Sequence, residues 1–183
     1  MPVRLLPITA PRLDDGVVTL RLPGERDLAA IERGIHDPDV ICAFGHPTLS
    51  AEQVLELNGG RWDRGEAATF AICDPADECL GHVFVNLSAE RRGTVGYWLL
   101  PEARGKGLAT RAVRLVSRWA LRDVGLIRLG LLTEPSNLQS SYVAERTGFH
   151  REGLLRSYAE IDGRRVDYAC FSLLPSDLDD AEG

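Results

Sequence analysis

The chain has 183 residues, enough for one domain with its own core, and its 44% apolar and 26% charged side chains are ordinary for a globular protein. A formal net charge of −6 disfavours wide contact with a phosphate backbone, so nucleic acid is not an expected partner. No apolar run is long enough to span a bilayer, and "MPVRLLPITAPRLDDG" lacks the apolar stretch and cleavage site of a signal peptide, so no membrane partner and a cytoplasmic location are expected.

In chain order, "GVVTLRL" reads as a first strand and "GERDLAAIERGIHDP" as a helix ending before Pro38. "LSAEQVLELNGGRWDRG" is a second helix, with Ser50 and Gln53 at capping-box spacing. Its apolar positions and Trp62 suit either a core or a homodimer face. "ATFAICD" and "CLGHVFVNL" are strands joined by "PADE", and "AERRG" turns the chain into the strand "TVGYWLL". Next comes "PEARGKG", then the clearest helix. Leu108, Ala112, Leu115, Val116 and Trp119 share one face, and Arg111, Arg114, Arg118 and Arg122 share the other. "LIRLGLLTE" is a buried strand. "SNLQSSYVAERTG" is a short helix, with Ser136 and Gln139 again at capping-box spacing. Asp162–Gly163 joins two last strands, "FHREGLLRSYAEI" and "RRVDYACFSLL". The order βααβββαβαββ predicts a mixed α/β sheet in one domain, 1–183, with a frayed, solvated acidic tail from about 176.

Cys42, Cys73, Cys79 and Cys170 show no CxxC pair and no histidine at ligand spacing, which predicts reduced thiols and no metal. The chemistry-bearing feature is "RGKGLA", between a buried strand and a helix. A helix N-terminus leaves amides unpaired and carries partial positive charge. Gly105 and Gly107 let the backbone approach a phosphate, and Arg104 and Lys106, the one lysine of the chain, add charged donors. A Walker loop would need Ser or Thr after the lysine, where Gly107 stands, and a dinucleotide fingerprint would need a third glycine, where Thr110 stands. The loop alone leaves open a pyrophosphate site or a glycine-rich helix start that binds nothing.

The stretch "GYWLLPEARGKGLATRAV" followed by "LLTEPSNLQSSYVAERTGF" resembles the GNAT superfamily of acetyl-CoA-dependent N-acetyltransferases. Arg104, Gly107 and Ala109 match its Arg/Gln-x-x-Gly-x-Gly/Ala motif. Asn137, Ser140, Gly148 and Phe149 look like an element of the branch that acetylates N-termini of ribosomal proteins (RimJ/RimL-like), and the terminal hairpin is similar to that branch too.

The resemblance implies a mostly antiparallel sheet flanked by helices and splayed between its fourth and fifth strands, "GYWLL" and "LGLLTE". It implies acetyl-CoA as co-substrate, with the pantetheine arm on the backbone of Tyr97, Trp98 and Leu99. The pyrophosphate would lie on the amides of Gly105, Lys106, Gly107, Leu108, Ala109 and Thr110. A backbone N–H near Leu99 would polarise the thioester carbonyl, Asn137 would bind the arm and Ser140 would meet the departing sulfur. Candidate bases are Glu134, and Glu160 with Tyr158, from the strand end and the final hairpin. His36, His46, His82 and His150 are further candidate bases; of these, His46 in "AFGHP" would line the acceptor mouth and His82 would pack within a strand. The implied acceptor is a primary amine, either a protein N-terminus, which the branch favours, or a small molecule such as a polyamine or aminoglycoside. The alternative is a non-catalytic acyl-CoA sensor with the same fold.

Overall fold

The sequence signals converge on one eight-stranded sheet in a computed structural model that describes residues 6–7 and 9–179. Two short strands, β1 (Leu13–Asp14) and β2 (Thr19–Arg21), lead into three helices, α1 (Leu28–Ile35), α2 (Pro38–Phe44) and α3 (Ala51–Asp63). A meander follows, β3 (Ala67–Cys73), β4 (Cys79–Ser88) and β5 (Arg92–Leu99). Helix α4 (Leu108–Arg122) crosses over to β6 (Arg128–Thr133), and α5 (Leu138–Arg146) leads to the hairpin β7 (His150–Ile161) and β8 (Arg164–Leu173), closed by α6 (Pro175–Asp179). The strand order is β1-β2-β3-β4-β5-β6-β8-β7, antiparallel throughout except for β5–β6.

Three elements differ from the sequence reading. β1 is an added strand, so the expected fourth and fifth strands are β5 and β6. Helix α2 was not foreseen; Asp37 accepts from the amides of Asp39 and Val40 and Pro38 opens the helix, a strong start signal on so short a helix. The chain from 176, expected as a frayed tail, begins within α6, and Leu178 is buried against the core. Residues 180–183 lie outside the described residues.

Helix α4 covers one sheet face. Its Ala112, Val116 and Trp119 pack with Phe70, Val83, Val85 and Val95. Trp62 stacks on Trp119 with ring centroids 6.1 Å apart, and both meet Phe70 edge-on. Trp62 is 4% exposed, which corrects the option of a dimer face built round it. The opposite face, two-residue alternation away, carries His82, Phe84 and Trp98. The Trp98 ring lies against α1 at Gly34, where a Cβ would come within 2.4 Å of it. A buried bidentate pair, Arg21 with Asp27, ties β2 to the start of α1. Cys73 and Cys79 face each other across β3 and β4 as free thiols, which burial pushes up to about 12 and about 11.

Candidate active site

β5 and β6 pair in parallel only from Arg92–Arg128 to Val95–Leu131, and beyond that point the strands diverge. The Leu100 amide donates to the Leu80 carbonyl at 2.9 Å. In an antiparallel ladder alternate residues turn toward the partner. Gly96 and Trp98 therefore bond to β4, whereas Tyr97 and Leu99 turn their backbone groups into the gap. This departs from the expectation for Trp98, whose backbone belongs to the β4 ladder. Arg104 Nε donates to the Leu99 carbonyl at 3.0 Å, so the Leu99 N–H and both Tyr97 backbone groups remain to meet an extended ligand.

The chain leaves β5 through the turn Pro101–Ala103 into the glycine loop. Gly105 and Gly107 have φ of +73° and +74°, a conformation that favours glycine, and no atom lies within 4 Å of a Cβ built on either. Gly107 caps α4 without a side-chain bond, and the first helical bond runs from the Arg111 amide to the Gly107 carbonyl. Among the described residues, the amides from Gly105 to Thr110, including those of Lys106, Leu108 and Ala109, have no backbone partner. They form an open cradle at the positive end of a 15-residue helix. The Arg104 guanidinium is not part of it: it bonds Asp37 and Asp39 and ties the loop to α2. Lys106 borders a neighbouring cavity of about 360 Å³ floored by Val17, Leu80, Ala103 and Leu108.

Across the gap, Asn137 caps α5, its Oδ1 accepting from the Ser140 amide at 3.0 Å. Ser136, the expected cap, stands one residue outside. Among the described residues the side-chain NH2 of Asn137 has no hydrogen-bond partner. The Tyr97 hydroxyl donates to Ser140 Oγ at 3.2 Å, which joins β5 to α5 over the gap. Burial pushes the Tyr97 phenol up from its ordinary range, against the smaller downward pull of that bond.

The other side of the gap opens to a cavity of about 350 Å³ lined by Ile41, Cys42, His46, Ile161, Asp162 and Arg164. Nearby, α2 reaches the sheet through Phe44, which meets Phe84 edge-on at 6.0 Å, and Phe84 lies on Gly96, the first β5 residue past the last β5–β6 pair. The tip of the β7–β8 hairpin is clasped at two points. Asp162 accepts from the His46 amide and from His46 Nδ1, the latter at 2.7 Å. Arg164 gives both terminal nitrogens to the two oxygens of Glu134, at 2.8 and 2.9 Å, just past the end of β6. Those bonds hold the Glu134 carboxyl below its usual range. Glu160 and Tyr158 lie on the exposed hairpin, Glu160 3.9 Å from Arg165 and Tyr158 beside Tyr168. His82 is 2% exposed on the inner strand, its ring 4.9 Å from that of Trp98, and burial pushes it down to about 4. His36 lies on the α1 surface, bonded to the Glu32 carbonyl, and His150 lies at the far end of β7, by Asp177.

A helix start with unpaired amides lies next to a parallel strand pair that parts after four residue pairs, and the family described as "Acetyltransferase (GNAT) domain" matches the chain over residues 18–150. The chain belongs to the GNAT acetyltransferases. An uncharacterized N-acetyltransferase, p20, of Bacillus licheniformis is 34% identical over 76% of this chain and 88% of its own length. The [Ribosomal protein uS5]-alanine N-acetyltransferase of Escherichia coli is 30% identical over 62% of this chain and 61% of its own. Against two Bacillus subtilis relatives the match spans about half of their length, 46% of each. Mycobacterium smegmatis RimJ, solved in complex with CoA-disulfide, superposes with a TM-score of 0.80 at 25% identity, covering 91% of this chain and 86% of that one.

As a GNAT acetyltransferase this chain uses acetyl-CoA as co-substrate. The unpaired loop amides suit a pyrophosphate, and the outward groups of Tyr97 and Leu99 suit the amides of an extended arm. Among the described residues no helix is long and apolar enough to cross a membrane. Sequence reasoning missed the Tyr97–Ser140 bond and the His46–Asp162 pair. Both join residues far apart in the chain, and no local spacing encodes them.

Proposed function

We propose that this acetyltransferase acts on a protein or peptide N-terminus rather than on a polyamine. The observation that carries the reading is the state of the carboxylates round the mouth. A polyamine presents two or more ammonium groups, and holding the second needs a carboxylate without a cationic partner. Glu134 is taken by Arg164 and Asp37 and Asp39 by Arg104, while the Asp162 oxygens are occupied by hydrogen bonds from the His46 amide and ring. The mouth instead offers Phe44, 53% exposed, and the open hairpin, surfaces that suit the first side chains of a peptide with a single reactive amine. The likeness to a ribosomal-protein-alanine acetyltransferase supports the same class.

The bound thioester supplies an activated acyl carbon, and holding the amine beside it provides much of the acceleration. The Leu99 N–H, turned into the gap, is a donor for the developing charge on the carbonyl oxygen. Ser140 accepts from Tyr97 and keeps its own proton to give to the departing sulfur. The test is free-thiol release from acetyl-CoA with peptides beginning in Ala or Ser, spermidine and an aminoglycoside. We expect kcat/KM for a peptide to exceed that for spermidine by about tenfold or more. Faster turnover of spermidine overturns the acceptor class.

A further inference from the structure

We propose that His46 is the general base that deprotonates the acceptor amine, held in the working tautomer by Asp162. The inference rests on the acetyl-transfer reading above and concerns the same site.

Three observations carry it. Asp162 Oδ2 lies 2.7 Å from His46 Nδ1. A carboxylate there only accepts, so the neutral ring carries its proton on Nδ1 and its lone pair on Nε2. The His46 amide also donates to the Asp162 carboxylate, at 3.2 Å to Oδ2, which fixes the loop as well as the ring. Lastly, the pair lines the 350 Å³ cavity together with Arg164, whose guanidinium holds Glu134 just past the end of β6, the strand that parts from β5.

The other candidate bases are engaged elsewhere. Glu134 has both oxygens on Arg164. Glu160 stands on the outer hairpin, its side chain 60% exposed, near Arg165. His82 is sealed between β4 and Trp98. The titratable and charged groups facing His46 are Cys42 from α2 and Asp162 and Arg164 from the hairpin, with Glu134 and Tyr168 next to Arg164.

The proton balance is simple. An acceptor arriving as an ammonium ion loses two protons. The first passes to His46 Nε2 and on to water, which the ring reaches through a side chain 73% exposed. The amine nitrogen then bonds to the acyl carbon as the C–S bond breaks. The sulfur gains a proton from Ser140, and the second amine proton passes through water to restore the serine hydroxyl. The products are an amide, a thiol and one proton released to solvent.

His46→Gln should lower kcat with an Ala-initiated peptide about a hundredfold, the low end for a placed general base. It should also remove the ascending limb of the pH profile, with acetyl-CoA affinity by calorimetry unchanged. Asp162→Asn keeps the turn, since Asn-Gly suits it equally well, and should give a smaller loss. The double variant should be no slower than His46→Gln, because Asp162 acts through His46. A His46→Gln enzyme of full activity, or losses that add in full, overturns the proposal. Nitrogen NMR of the imidazole needs no acceptor, so it decides even if no amine in the panel is turned over. A neutral ring protonated on Nδ1 supports the assignment, and one protonated on Nε2 refutes it. Failure of the wild type on every amine would instead count against the acetyl-transfer reading.

Discussion

Ser140 sits at the meeting of two signals, a helix start and a hydrogen bond from Tyr97 across the strand gap. Its oxygen accepts the Tyr97 hydrogen bond, and in the proposed reaction its own hydroxyl hydrogen would turn to the sulfur. Such a contact strengthens only as the C–S bond breaks, and interactions of that kind change turnover rather than ground-state binding. Ser140→Ala should lower kcat about ten- to a hundredfold and leave the calorimetric affinity for acetyl-CoA unchanged. Tyr97→Phe should lower the same parameter less, since it only orients Ser140. Ser141, about 100° round the helix, is the control. Silence of Ser140→Ala beside a damaging Ser141→Ala would move the donor by one position. The motif singled out Ser140 as a candidate in the sequence, but Tyr97 entered there only for its backbone. Its phenol meets α5 through the fold alone, 43 positions along the chain.

At the scale of elements, the N-terminus of α5 joins a structural role to a proposed ligand contact in one side chain. The Asn137 carbonyl oxygen caps the helix, and its NH2 is the group proposed to meet the cofactor arm. Asn137→Ala should therefore lose about 1 kcal/mol of stability and also weaken acetyl-CoA binding. Asn137→Asp keeps the cap oxygen but not the donor, so urea titration should show near-native stability while calorimetry shows the weakened binding. Equal affinity in all three proteins would leave Asn137 a cap only. Elements with a strong period or a marked start or turn were legible in sequence: α4, with its apolar stripe; α3, with the Ser50–Gln53 capping box now seen in full; and the Asp162–Gly163 turn. Short or edge elements were not. The two residues of β1 and the seven of α2 are too few for a period to show, and α2 announced itself only through Asp37–Pro38. Arg104 was read as a phosphate donor from its place in the motif. Only the fold could reveal that α2 supplies two carboxylates to hold it.

At the scale of the whole molecule, the packed interior sets an acid limit. His82 is buried between β4 and the Trp98 ring, and its Nε2 has no hydrogen-bond partner among the described residues. Burial pushes the imidazole down to about 4, with Asp27 pulling weakly the other way. In an unfolded chain it would take up its proton near pH 6.5. The folded state then binds fewer protons than the unfolded one, so the stability from a neutral His82 is complete above about 6.5 and drains away as pH falls toward about 4. Urea midpoints should decline over that window, and His82→Leu should flatten the decline between about pH 6.5 and 5, before carboxylates titrate. An unchanged slope would place the proton elsewhere. The same interior divides at one seam. β1–β5 and β6–β8 share only the parallel stretch from Arg92–Arg128 to Val95–Leu131, so the sheet is two half-sheets held by a short zip. Solvent deuterium should enter first at the amides that face the open end of that seam, Tyr97 and Leu99, while Trp98 between them stays protected by β4. An alternation of fast and slow exchange along three consecutive residues would mark where the protein leaves a place for a strand that it does not itself encode.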